Sequence, residues 1–200
     1  MKRRTFIQQS MLASAGLALS NKVKADFPTV RIPEGKRKFK SQAVEKMIRD
    51  VRGSAGNKEI GWLFENCFPN TLDTTVDFSM IGGKPDTYVI TGDIDAMWLR
   101  DSSAQVWPYL PLCKDDKDLQ QLIRGVIHRQ VRCILKDPYA NAFYKDETKI
   151  SEWKATDITD MKPGIHERKW EIDSICYPIR LSHGYWQITG DTSPFDAEWM

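Results

Sequence analysis

Long apolar runs are missing from this sequence: the roughly 20 consecutive apolar residues of a membrane-spanning helix occur nowhere, which excludes such a helix. Histidine is scarce, and His128, His166 and His183 stand at no spacing that suits a metal-ligand set. The four cysteines, Cys67, Cys113, Cys133 and Cys176, include no C-x-x-C pair, which removes zinc-ribbon and thioredoxin-type readings. Also absent are a glycine-rich phosphate loop, a nucleophile elbow and an H-E-x-x-H pair. Nor is either sign of charge in excess, with 29 Lys and Arg against 27 Asp and Glu.

That near balance changes sign once the N-terminus is set aside. Lys2-Arg3-Arg4, the apolar stretch Met11 to Leu19 and the small-residue site Val23-Lys24-Ala25 predict an export signal over residues 1–25. The run RRTFI resembles a twin-arginine signal, so the expected location is periplasmic or otherwise exported, with no membrane attachment after cleavage. The segment holds Lys2, Arg3, Arg4, Lys22 and Lys24 and no acid, which leaves 24 bases against 27 acids, a net charge of −3. Nucleic acid is therefore not an expected partner. Lys36-Arg37-Lys38 and Lys40 read as the solvated start of a helix. Export would permit disulfides, but Cys67 and Cys176 fall on apolar helical stripes and read as buried free thiols.

Periodicity predicts a mainly helical protein. A lead-in over residues 26–40 precedes a short helix with Val44, Met47, Ile48 and Val51 on one face and Gly53 at its end. Asn57 is a candidate cap for a second helix bearing Ile60, Leu63, Phe64 and Cys67, stopped at Pro69. TTVDFSM and DTYVIT flank Gly82-Gly83-Lys84-Pro85 and predict a β-hairpin. The most regular helix spans Asp116 to Leu135, and a charged segment from Tyr139 to Lys169 without clear period predicts a long loop. Ile172, Ile175, Cys176, Ile179 and Trp186 then repeat helically, with Pro178 expected to kink or divide that helix. A turn at Gly190-Asp191 leads into what reads as another helix near Ser193-Pro194, so residues 41–200 are expected to be part of a domain continuing past Met200.

The stretch TGDIDAMWLRDSSAQVWPYL sets Asp93, Asp95, Arg100 and Asp101 among apolar residues. If helical from Asp95, it gives Arg100 and Asp101 no opposite charge three or four positions away. Both then need tertiary partners, solvent or a ligand, and the surrounding Met97, Trp98, Leu99, Val106 and Trp107 point to a polar cavity. Glu171 and Asp173 form a second acidic cluster at a helix entrance, and two carboxylates flanking a sugar are what glycoside hydrolysis uses. Plainer roles stand beside these: Asp93 or Asp95 as a helix cap, Glu171 paired with Arg168, and Asp173 paired with Lys169. Of the seven tryptophans, Trp98 beside Arg100 and Asp101 is the candidate for stacking on a sugar face, the alternative being a core position.

TGDIDAMWLRDSSAQVWPYL, QVRCILKDPYANAF and HERKWEIDSICYPIRLSHGYW together resemble glycoside hydrolase family 125, bacterial exo-α-1,6-mannosidases. The resemblance implies the N-terminal part of an (α/α)6 toroid carrying a β-hairpin, inverting removal of non-reducing α-1,6-linked mannose from mannan or N-glycans, and no metal or other cofactor. It implies a monomer whose partner is an oligosaccharide with terminal α-mannose. Arg100 and Asp101 become hydroxyl-binding groups, Trp98 a wall, and Asp93, Asp95, Glu171 and Asp173 further polar contacts, while the catalytic acid and base fall beyond residue 200. Two other readings stay open: a non-catalytic helical glycan-binding protein, and another toroid enzyme such as a polysaccharide lyase, although a lyase would want a basic groove.

Overall fold

The computed structural model describes residues 27–200, whose compact body runs from Arg31 to Met200. The expected export signal lies outside the described residues. Helix α1 (Gln42–Ser54) is capped by Ser41, whose hydroxyl accepts from Val44 N and donates to Asp116 at 2.6 Å. Asp116 in turn caps the long helix α4 (Lys117–Lys136) by accepting from Leu119 N. Two helix N-termini are thus tied through one buried hydrogen bond, and orphan N–H groups at both are satisfied. Asn57 caps α2 (Lys58–Cys67) as its sequence signal predicts, accepting from Glu59 N.

The hairpin pairs β1 (Val76–Ile81) with β2 (Lys84–Val89), and Ile81 faces Lys84 across a two-residue turn. Gly82 and Gly83 have φ of +57° and +79°, the left-handed pair that a turn matching strand twist demands. Strand β2 is buried from Pro85 to Val89 because α4 lies on it. Gly125 makes that approach possible: a Cβ there would collide with Thr87. Leu72, Val76, Val89, Leu122, Ile123 and Val126 lead the core formed at this contact.

A short strand β3 (Met97–Trp98) runs directly into α3 (Leu99–Val106). It joins β4 (Ala142–Phe143) and β5 (Ile165–Glu167) in an antiparallel sheet. The segment expected as a long loop therefore supplies two strands, and Leu99, Cys133, Phe143, Met161 and Ile165 form a second core associated with them. Helix α5 (Asp173–Thr189) is the last; it packs against α3, and Gly184 fits against the Trp107 ring. The described body is mainly helical with a β-hairpin, the architecture of the N-terminal part of an (α/α)6 toroid.

Several expectations are corrected. Of the two outcomes expected at Pro178, division does not occur: it sits buried as the sixth residue of the continuous α5. Residues after Gly190 form turns and no helix starts at Ser193. Cys67 and Cys176 are exposed, and it is Cys113 and Cys133 that are buried; all four are free. The reason is the direction of the stripes: Ile60 and Leu63 on α2, and Ile172, Ile179 and Trp186 around α5, face outward at 44–68% exposure. Arg37 is not solvated either, because it pairs with Glu45 at 3.1 Å and lies near Asp73.

Candidate functional site

Helix α3 does not begin at Asp95. Thr91 N donates to Ala96 O and Ile94 N to Thr91 O, closing a turn, after which Met97 and Trp98 pair with β4. Leu99 N is taken by Asn141 O, so the helix starts without a side-chain cap, and neither Asp93 nor Asp95 serves as one. Buried Gln130 of α4 fixes the first turn of α3 by donating to Ser102 and Ser103 hydroxyls at 2.9 and 2.8 Å. Arg100 and Asp101 project from that anchored turn.

Arg100 has the partners that local spacing denied it. Its Nη1 lies 3.1 Å from Glu171 Oε2 and 3.2 Å from Asp173 Oδ2, and its Nη2 lies 3.4 Å from Asp101 Oδ2. Glu171 and Asp173 stand at the entrance to α5, 71 and 73 residues along the chain, so only packing of α5 on α3 assembles the cluster. The hydrogen bond from Arg100 to Asp173, opposed by burial and aided by the neighbouring carboxylate charges, raises the guanidinium pKa. Three carboxylates share one guanidinium here, leaving an excess of negative charge. Two of their oxygens, Asp101 Oδ2 and Asp173 Oδ1, are covered yet make no hydrogen bond. Side-chain exposures of 33–40% for the four residues keep the cluster open to an incoming molecule.

Trp98, half-buried, forms an adjoining wall. Its indole Nε1 donates to Glu167 Oε2 at 3.1 Å, and its edge meets His166 with ring centres 5.0 Å apart. Asn141 Nδ2 donates to the same Glu167 oxygen at 3.0 Å, and Lys169 Nζ is 2.8 Å from the other. Burial would raise the Glu167 pKa, but donors from Lys169, Asn141 and Trp98 together lower it below the usual carboxylate value. His166, 5% exposed and bonded to Tyr144 Oη at 2.7 Å, has its pKa lowered chiefly by desolvation. Trp153 lies against the same imidazole.

The structure thus brings together Arg100, Asp101, Glu171 and Asp173, with Trp98 at the end of β3 directly before the helix that carries Arg100 and Asp101. It leaves out Asp93 and Asp95. Asp95 pairs instead with Lys149 at 2.9 Å, 74% exposed, and Asp93 lies exposed in the turn. The helical pairings Glu171 with Arg168 and Asp173 with Lys169 do not form, because the chain there is strand and loop until Asp173. Arg168 goes to Asp137 at 2.7 Å and Lys169 to Glu167. Glu167, Asn141 and His166 were not singled out by sequence reading; a three-residue strand is too short for its alternation to be read. Among the described residues no group of three or more His, Cys, Asp or Glu could hold a metal ion.

Residues 57–200 match the model of a family described as metal-independent alpha-mannosidases, glycoside hydrolase family 125. The chain belongs to this family. A solved structure of a family 125 relative from Streptococcus pneumoniae, a metal-independent alpha mannosidase in non-productive complex with alpha-1,6-mannobiose, is 42% identical, with a TM-score of 0.73 over 81% of this chain. The meiotically up-regulated gene 157 protein of Schizosaccharomyces pombe is 40% identical over 171 residues, 82% of this chain. The family 125 chain described here spans about a third of either relative's length, 37% and 34%.

Proposed function

We propose that this protein is an α-mannosidase that removes non-reducing terminal α-1,6-linked mannose from mannan or N-glycan chains. Family membership supports the chemistry, and a relative complexed with α-1,6-mannobiose supports the linkage. The observation that carries the site assignment is the open convergence of Asp101, Glu171 and Asp173 on Arg100, all four side chains about a third exposed. Partly exposed carboxylates accept hydrogen bonds from sugar hydroxyls, and such charge-assisted bonds are stronger than neutral ones. Arg100 offers the converse, donors to hydroxyl oxygens, and Trp98 a flat apolar face for the C–H side of the ring. Asp101, Glu171 and Asp173 already converge on one guanidinium, so they suit hydroxyl binding; we assign acid and base catalysis to other residues of the whole protein.

The reaction is proposed to invert anomeric configuration, with two carboxylates of the complete enzyme roughly 6.5–9.5 Å apart and a water between them. The deciding experiment follows α-1,6-mannobiose hydrolysis by NMR with the full-length protein, with and without chelator. Inverted mannose released at an unchanged rate in chelator is expected. Retained configuration, or activity restored only by added metal, would sink the reading, and tight binding without turnover would favour a glycan-binding protein. Export from the cytoplasm by the basic, apolar N-terminus is proposed as well, with N-terminal sequencing of secreted protein as the check: an intact Met1 there would refute cleavage after Ala25.

A further inference from the structure

We infer that Glu167 is a positioning residue, which fixes the plane of the Trp98 indole on which the sugar ring stacks. The inference rests on the mannose-site reading above. Three observations converge on it. The sheet register places Trp98 opposite Ala142, and Ala142 opposite Glu167, so the three stand in one row across β3, β4 and β5. Residues directly opposite one another in an antiparallel sheet point to the same face, and the outer two lie two strand spacings apart, roughly 9.5 Å. Ala142, fully buried, is small enough to leave that gap open. The indole and the carboxylate close it from either side, meeting at 3.1 Å.

The second observation is that Glu167 is itself immobilised. Only 13% of its side chain is exposed, and Asn141 and Lys169 hold its oxygens from the far side. An anchor fixed at three points transmits its orientation; a solvated carboxylate would not. Third, the other approach to the indole is occupied by His166, the residue before Glu167 on the same strand. His166 has no opposite partner because the register shifts between Ala142 and Phe143, and at this irregularity two consecutive residues of β5 both reach Trp98, one at its N–H and one at its ring. An indole left without this anchor keeps its area but rotates among rotamers, so a sugar ring must pay to order it on binding.

A stacking platform contacts bound substrate and transition state alike, so its loss raises KM more than it lowers kcat. Glu167→Met keeps the volume and removes the acceptor; in the full-length protein it should raise KM for α-1,6-mannobiose by roughly tenfold, with kcat within about threefold. Glu167→Gln, whose amide oxygen still accepts from the indole, should stay within about threefold of wild type. In a Trp98→Phe background, which has no N–H to hold, Glu167→Met should add less than about twofold. Equal effects of Glu167→Met in the wild-type and Trp98→Phe backgrounds would overturn the inference, as would a lowered melting temperature with KM unchanged. Should Glu167→Met not fold, Lys169→Met decides, since it frees one point of the anchor: a rise in KM that shrinks below about twofold in the Trp98→Phe background supports positioning through the indole, and an equal rise in both backgrounds, or none in either, overturns it. Failure of the underlying reading looks different, since Trp98→Ala and Arg100→Ala would then leave mannobiose turnover intact.

Discussion

Two arginine–carboxylate clusters in this molecule use the same chemistry in opposite ways. At the hairpin, Asp86 is met by Arg129 at 2.5 Å and Arg132 at 2.9 Å, with only 3% of the aspartate side chain exposed. Two cations serve one carboxylate, and Glu147 balances Arg132 from its open side. At the α3–α5 contact the proportions reverse: three carboxylates serve Arg100, all about a third exposed. A closed cluster with each charge answered holds elements together. An open one with three carboxylates to one guanidinium suits the proposed sugar site, and exposed pairs of that kind contribute little to folding. The comparison separates a fastening from a site more reliably than the presence of a salt bridge does.

The largest effect should come from breaking the fastening. Asp86→Ala leaves Arg129 buried without its partner and should destabilise the fold by about 3–5 kcal/mol, read by urea or thermal unfolding. A loss below about 1 kcal/mol would show that the hairpin cluster is no more structural than the open one. Next, Arg100→Ala, Asp101→Asn and Asp173→Asn should each cut α-1,6-mannobiose turnover by about one to two powers of ten. Their stability should change by no more than about 1 kcal/mol, since the residues are partly exposed. Unchanged turnover with a large fall in melting temperature would make the two clusters alike.

A smaller effect concerns acid. Arg31 hydrogen-bonds Glu45 at 2.7 and 3.0 Å, and this, against an opposing burial cost, lowers the Glu45 pKa from its ordinary 4.5. The folded value lies below the unfolded one, so Glu45 contributes stability that is complete above pH 4.5 and is lost as pH falls through the lower folded value. Glu45→Gln should therefore flatten the acid limb of a stability–pH curve by about 0.5–1 kcal/mol, and an unaltered limb would count against the pairing. The smallest effect is expected where sequence expectation and structure part: Asp93→Asn and Asp95→Asn should leave turnover within about twofold. A tenfold loss from either would return those residues to the site.

The sequence drew attention to the stretch from Trp98 to Asp101 but not to its geometry. Arg100 and Asp101 stood out because no helical neighbour could answer them, and Trp98 because it stood beside them. That reasoning sees only residues within four positions, so it left open whether the missing partner lay elsewhere in the chain, in solvent or in a ligand. It also listed Asp93 and Asp95 with the site, and the structure pairs Asp95 with Lys149 and leaves Asp93 exposed in a turn. Glu171 and Asp173 were legible through composition and the resemblance, while Glu167, in the same segment, was hidden by the shortness of its strand.

What the sequence determined by itself is what depends on neighbours along the chain. It set the helices from Gln42, Lys58 and Lys117 with their caps at Ser41, Asn57 and Asp116, and the hairpin closed by two glycines. Motifs spread over the chain were enough for the family. Tertiary structure alone decided which apolar stripe faced inward, which cysteines were buried, and which carboxylates reached Arg100. The carboxylates of Glu171 and Asp173 that reach Arg100 come from 71 and 73 residues along the chain, and the energies of such contacts exist only once the intervening chain has folded and fixed both partners in place.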